Sequence, residues 1–165
     1  MRKGKTIKLI ISVIAIILFV VVLLIINVPD IGQKFPDMGN RHIGSVEATH
    51  ESYNSNPPTS GPHVENIAPW GVSREIVPDE LQVHNLEDGG IVIQYNPDKI
   101  SGEEINQLEQ IVNDSTRSHL LLAPRYEMEY KIVLTAWTRL LSLDSIDGVM
   151  IKEFIATYEG KDHHK

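Results

Sequence analysis

The sequence predicts an α+β domain: a small β-sheet with two helices packed on it, preceded by a long ordered loop region and an N-terminal transmembrane helix. Three observations lead to this. Residues 9–26 are apolar except for Ser12, residues 41–79 are rich in proline and glycine, and the remainder alternates between strand-like and helix-like patterns. A chain of 165 residues accommodates one domain and an anchor, but not two full domains.

The apolar run predicts a membrane anchor. Residues 9–28 approach the ~20 residues that cross a ~30 Å hydrocarbon core. Four bases precede it, and excess positive charge marks the cytoplasmic side: Arg2, Lys3, Lys5 and Lys8. A cleaved signal peptide is the alternative, but its apolar region usually has about 7–15 residues and a small-residue cleavage site. We therefore expect a cytoplasmic basic tail (residues 1–8), one uncleaved span, and the rest outside the cell membrane, as in a single-pass membrane protein.

Charge and composition exclude several classes of function. The chain has 15 Lys and Arg and 22 Asp and Glu; four bases precede the run, so residues 29–165 hold 11 bases and all 22 acids, a net charge of −11. Such a domain attracts cations and lacks the basic face that nucleic acids require. Neither a P-loop nor a G-x-G-x-x-G motif supports nucleotide binding. With no cysteine, the chain has no disulfide, thiolate ligand or cysteine nucleophile.

The exported part divides into an irregular and a regular half. Residues 29–40 resemble a spacer, and residues 41–160 form the predicted domain, followed by a frayed tail over residues 161–165 that includes His163 and His164. In the irregular half, aromatic residues such as Tyr53 and Trp70 argue against disorder and favour an ordered functional loop layer.

The regular half predicts the order β-β-α-β-β-α. A Ser101/Glu104 capping box opens the first helix, and Ser145 or Asp144 caps the second. The predicted strands are residues 81–84, 91–95, 119–123 and 130–137, and the predicted helices are residues 101–114 and 144–159.

Two motifs carry the candidate chemistry. In residues 56–63 (NPPTSGPH), prolines fix φ and a glycine opens further backbone angles, so the loop presents His63 rigidly. A rigid turn with an incidental histidine is the alternative. In residues 84–90 (HNLEDGG), His84, Glu87 and Asp88 combine imidazole and carboxylate, which suit Zn, Cu, Fe or Mn. A helical turn would put His84 and Asp88 on one face, whereas a simple polar turn is the alternative.

These motifs resemble an uncharacterised bacterial family known only as a domain of unknown function, whose members are typically membrane-anchored or exported. The resemblance extends from His42 to Tyr158 and includes the PPTSGPH loop, the turn before the strand at residues 91–95, and an Ala-Trp pair at residues 136–137. It implies an upstream histidine, which is His42 or His50, with His42 fitting the spacing better. Many relatives have histidine where this chain has Asp88; as a ligand, aspartate would shift preference from Cu(I) towards Zn(II), Mn(II) or Cu(II).

Two hypotheses follow. In the first, His63, His84 and Asp88 converge with His42 on a divalent metal, Zn or Cu, and Glu87 orients an imidazole from behind the ligands. In the second, the chain is a non-catalytic envelope scaffold that binds a protein partner.

The scaffold hypothesis uses the surface of Pro57, Pro58 and Trp70. A hydrolase using Thr59 or Ser60 with a histidine is the weakest interpretation, because no nucleophile elbow supports it.

Overall fold

The computed structural model of the chain describes residues 13–14, 16–19 and 30–164. The chain divides into two units, Met1–Asp30 and Ile31–Lys165. Residues 13–14 and 16–19 are helical, whereas the rest of the predicted anchor (9–28) and the basic tail (1–8) lie outside the described residues. No helix within the described part has the length and apolar character needed to cross a membrane.

Residues 31–164 form a six-stranded mixed sheet with three helices. The strands are β1 (Gln33–Lys34), β2 (Gly71–Val72), β3 (Ile91–Tyr95), β4 (Leu120–Pro124), β5 (Ile132–Ala136) and β6 (Arg139–Leu143), and the helices are α1 (Asp79–Glu87), α2 (Gly102–Asn113) and α3 (Gly148–Tyr158). The strand order is β1-β6-β5-β3-β4-β2. β4 is parallel to both β3 and β2, and the other pairs are antiparallel.

Both faces of the sheet are buried, and successive strand residues alternate between them. Ile91 and Ile93 belong to the core that includes Leu108 of α2 and Phe154 of α3. Val92 belongs to a second core on the opposite face, formed with residues of α1, the loop layer, β4 and the turn after β5: Ala68, Val83, Leu86, Leu121 and Trp137. The helix α1 therefore lies between the sheet and the loop layer.

The predicted α+β class is confirmed, as are most of the regular elements. The strand at residues 91–95 is β3, and the Ser101/Glu104 capping box opens α2, with Glu104 N donating to Ser101 Oγ at 3.2 Å. The last helix begins at Gly148, two or three residues later than predicted, because the N-cap is Asp147 rather than Asp144 or Ser145. Asp147 Oδ1 accepts hydrogen bonds from the backbone N–H groups of Val149 and Met150, both at 3.0 Å.

Two parts of the sequence prediction were wrong. Residues 81–84 belong to α1, not to a strand: Val83 and Leu86 are three residues apart on one helical face and pack into the core. The prediction also missed β6. The turn between β5 and β6 contains Thr138 at φ 60° instead of the glycine or asparagine that usually signals a hairpin. The short strands β1 and β2 carry too few residues to produce a pattern.

Candidate metal centre

Three histidine side chains from separate chain segments meet at the C-terminal end of α1. Their ring centroids lie 4.8 Å (His42–His63), 5.4 Å (His42–His84) and 5.0 Å (His63–His84) apart. One ring nitrogen from each and a carboxylate oxygen of Glu87 all lie within 4.8 Å of one another. The cluster therefore offers three imidazoles and one carboxylate to a single point.

Backbone pairing holds His42 beside His63. The two residues form an isolated parallel β-bridge. Ile43 N donates to His63 O at 2.8 Å, and His63 N donates to Arg41 O at 3.1 Å. Main-chain hydrogen bonds of the loop layer thus hold the backbones of His42 and His63 side by side. These bonds do not depend on which side chains the two residues carry.

The proline-rich loop is locked just before His63. Gly61 has φ 126°, a conformation that glycine alone adopts readily, and a Cβ there would lie 3.2 Å from the Tyr53 ring. The Tyr53 hydroxyl donates to Pro62 O at 2.6 Å, and Gly61 N donates to Gly39 O at 3.0 Å. The sequence expectation that this loop presents His63 rigidly agrees with these contacts.

The end of α1 supplies His84 and Glu87, which share a face because they are three residues apart. Between them, the Asn85 amide joins the helix to the loop layer: Nδ2 donates to Ala68 O, and Ala68 N donates to Oδ1, both at 2.9 Å. Leu86 points into the core. The C-terminal end of a helix carries partial negative charge, which favours a bound cation.

Gly89 and Gly90, which follow α1, let two other parts of the chain pack closely against the end of this helix. A Cβ on Gly90 would lie 2.4 Å from the Trp70 ring and 2.6 Å from Asn85 O. A Cβ on Gly89, which has φ 80°, would lie 2.7 Å from the backbone of Lys161. Glycine at both positions therefore lets the tryptophan and the C-terminal residues pack against the end of the helix.

His63 lies between two hydrogen-bond acceptors. Its Nδ1 is 2.8 Å from Gly61 O, and its Nε2 is 3.0 Å from Glu87 Oε2. A neutral imidazole has one N–H, so it satisfies only one of them when the carboxylate is ionised. Burial lowers the pKa of His63, although the neighbouring carboxylate opposes that shift. A second proton on the ring is therefore disfavoured, and a cation at Nε2 would satisfy the ring and the carboxylate together.

His84 is oriented in the same way. Its Nδ1 is 2.8 Å from Val64 O, a carbonyl that can only accept, so a neutral His84 carries its proton on Nδ1. Nε2 then has a free lone pair and lies 3.7 Å from Asp88 Oδ1. A backbone carbonyl thus sets the tautomer of His84, as carbonyls do for histidines that bind metals, and Gly61 O offers the same contact to Nδ1 of His63.

Glu87 is a fully buried carboxylate whose charge needs a partner. Its Oε2 lies 3.0 Å, 3.9 Å and 3.4 Å from the Nε2 atoms of His63, His42 and His164. Its Oε1 has no hydrogen-bond partner among the described residues. Buried polar atoms are nearly always paired, and a buried charge without compensation is strongly unfavourable.

The cluster has a buried floor and an exposed rim. The floor consists of His63, His84 and Glu87, whose side chains are 0%, 10% and 0% exposed. The rim consists of His42, Asp88 and His164, whose side chains are 47%, 31% and 49% exposed. A metal ion would therefore reach the floor from the side of the rim.

The predicted site residues fall into two adjoining groups. His42, His63 and His84 lie together, but Asp88 groups with His84 and His164 rather than with the first set. Glu87, expected to orient an imidazole from behind, has a carboxylate oxygen among the donor atoms of the first group. Glu87 is the last residue of α1 and its side chain is fully buried, whereas Asp88 is the C-cap residue and its side chain is 31% exposed. The other candidate upstream histidine, His50, contacts Glu51 O and Glu80 instead.

Sequence reasoning assigned no role to His164. The tail was expected to be frayed, yet Gly160 N donates to Gly89 O at 2.8 Å and His163 N donates to Glu87 O at 2.9 Å. The paired histidines were a sequence signal for metal binding, but nothing in the tail indicated that it returns to α1.

The alternative site residues lie mostly inside the protein. Pro57 and Pro58 are buried, and Trp70 is partly buried against Gly90.

Both hydroxyls of the hydrolase interpretation are buried as well. Ser60 Oγ accepts from Met38 N at 3.0 Å, and Thr59 Oγ1 accepts from Ser55 Oγ at 3.4 Å. These contacts hold the loop.

The fold and the cluster define a small α+β domain with a histidine–carboxylate centre between a helix end and a loop layer. The chain belongs to the family described as "Protein of unknown function (DUF3105)", which matches residues 45–165. The resemblance to a family of unknown function is therefore confirmed. The match includes the floor, Asp88 and His164, whereas His42 lies just before it. No curated protein matches the chain, and no solved structure does.

Proposed function

We propose that this protein binds a divalent transition metal, Zn²⁺ or Cu²⁺, through His42, His63, His84 and Glu87. The observation that carries the proposal is the environment of His63, which is buried between a carbonyl oxygen and a carboxylate oxygen. A metal ion at Nε2 would replace the missing proton and neutralise the buried carboxylate.

The donor set and its spacing support this assignment. Three imidazoles and a carboxylate are ligands of Zn²⁺ and Cu²⁺. Metal–ligand distances of about 2.0–2.2 Å place neighbouring ligands of a tetrahedral ion about 3.3–3.6 Å apart. The Glu87 Oε2 distances of 3.0 Å to His63 and 3.9 Å to His42 are near that range, so small side-chain adjustments would suffice.

We also propose that the domain is exported and anchored. The apolar run at residues 9–28 and the four bases before it support a single span with the N-terminus in the cytoplasm. The net charge of −11 over residues 29–165 would raise the local concentration of cations at the domain. The role that we propose is metal binding or handling. A partner-binding role has less support, because two of its three proposed contact residues are buried.

The test is the metal content of the full chain, purified in detergent without a histidine tag and measured by elemental mass spectrometry. We expect about one metal ion per chain in the wild type and none in the His63→Ala/His84→Ala double variant. His119→Ala is the matched control, because His119 pairs with Glu159 outside the cluster. Equal metal content in the wild type and the double variant, including after incubation with Zn²⁺ or Cu²⁺, would overturn the proposal.

A further inference from the structure

The residues that follow α3 run back along the end of α1. We call residues 160–164 the C-terminal strap. Two backbone hydrogen bonds attach it, from Gly160 N to Gly89 O at 2.8 Å and from His163 N to Glu87 O at 2.9 Å. The absence of a Cβ at Gly89 permits this contact, since a side chain there would overlap the backbone of Lys161.

The strap brings His164 to the rim of the cluster. His164 Nε2 lies 3.4 Å from Glu87 Oε2 and 3.6 Å from Asp88 Oδ1. The ring centroid of His164 is 5.9 Å from that of His84. The 3.4 Å between His164 Nε2 and Glu87 Oε2 is short enough for both atoms to bind one ion, which would then have five protein ligands.

The other nitrogen of His164 is already engaged. Nδ1 lies 2.7 Å from Asp162 Oδ1, and the same oxygen accepts from His164 N at 2.8 Å. A carboxylate on Nδ1 fixes the orientation of a metal-binding histidine and strengthens Nε2 as a ligand. Asp162 thus orients His164 as the Val64 carbonyl orients His84.

We infer that His164 is a further ligand of the ion in the proposed metal site, and that the C-terminal strap closes the rim over that ion. The inference rests on the proposed function. The ion would join His164 to Glu87, and the His163 N–H already donates to Glu87 O, so an attached strap would slow release of the metal. The strap therefore governs how fast the metal leaves more than whether the floor can bind it.

The neighbouring histidine provides a matched control. The His163 ring stacks on Trp137, with centroids 5.8 Å apart and an interplanar angle of 19°, and it does not belong to either donor group. His163→Ala removes an imidazole from the same strap without removing a donor from the cluster.

The first measurement is the release of Zn²⁺ from the full chain to an excess of chelator with a zinc indicator. We expect His164→Ala to release Zn²⁺ about tenfold faster than the wild type, in line with the loss of one supporting metal contact. His163→Ala should release it at the wild-type rate. Because His164 is 49% exposed, its replacement should leave the fold intact.

The second measurement is hydrogen exchange at the strap. Zn²⁺ should slow exchange of the His163 N–H in the wild type but not in His164→Ala. Stoichiometric Zn²⁺ with equal release rates in all three chains and no added protection of the strap would overturn this inference alone. A wild-type chain that binds no Zn²⁺ or Cu²⁺ would overturn the proposed function together with it.

Discussion

The floor and the rim of the cluster are built on different kinds of backbone. His84 and Glu87 of the floor come from a helix packed into the core, and His63 ends a loop fixed by buried contacts. The rim side chains of His42 and His164 come from irregular segments, each of which two backbone hydrogen bonds attach to the cluster. We infer from this comparison that the floor determines whether a metal binds. The rim then determines the affinity of the site and the lifetime of the bound metal.

The largest effect is expected at the floor histidines. His63→Ala or His84→Ala should weaken metal binding by more than the ~10–100-fold lost with an outer-shell partner, because each removes a ligand whose orientation is preset. Affinity is measured by competition with a chelator of known strength. His119→Ala should bind like the wild type. A floor variant with wild-type affinity would contradict the division between floor and rim.

Glu87→Gln should have opposite effects on binding and on stability. It removes the buried negative charge, so metal affinity should fall. Without metal, the same change relieves the contact between the carboxylate and the His63 acceptor and should stabilise the chain by about 1–3 kcal/mol. Urea unfolding in the presence of a chelator measures this difference. A less stable metal-free variant would mean that a proton already satisfies the pair.

A smaller change in metal affinity is expected for substitutions at the rim. His42→Ala should weaken binding by about tenfold, because the remaining floor ligands keep their geometry. Asp88→His should retain or strengthen binding, since it exchanges one metal-binding side chain for another. Isothermal titration with Zn²⁺ tests both variants. A complete loss of binding in His42→Ala would place His42 functionally with the floor.

The smallest of these effects should be the pH dependence of the free energy of unfolding of the metal-free chain. Burial places the pKa of His63 in the folded state below its ordinary value of about 6.5, so between these two values the unfolded state binds more protons. Stability should therefore rise with pH across that window and become constant above it. Unfolding curves at several pH values measure the slope, which should decrease in His63→Gln. An equal slope in that variant would show that His63 is not the source of the pH dependence.

Local signals in the sequence predicted the fold better than the site. The capping box at Ser101 and the β-branched run at residues 91–95 are encoded in neighbouring residues, and both elements are present. The hairpin after β5 was missed because Thr138 occupies a turn position that usually carries glycine or asparagine. Short-range patterns are therefore informative only where the chain uses the common residue for a conformation.

The grouping of donors depends on contacts between distant segments, which the sequence does not display. The motifs drew attention to His42, His63 and His84, but whether Glu87 or Asp88 faces them depends on residues 81–84 being helical instead of extended. The approach of His164 depends on a backbone hydrogen bond to the α1 end and on space at Gly89. Neither follows from spacing along the chain.

The bridge between His42 and His63 also bears on the integrity of the loop layer. Most of residues 41–78 form neither helix nor strand, and the chain has no cysteine that could cross-link them. An ion bound jointly to residues 42, 63 and 84 would hold two successive chain loops together and stabilise the folded loop layer, because the unfolded chain has no such site. Bound metal would then slow the cleavage of the loop layer by proteases.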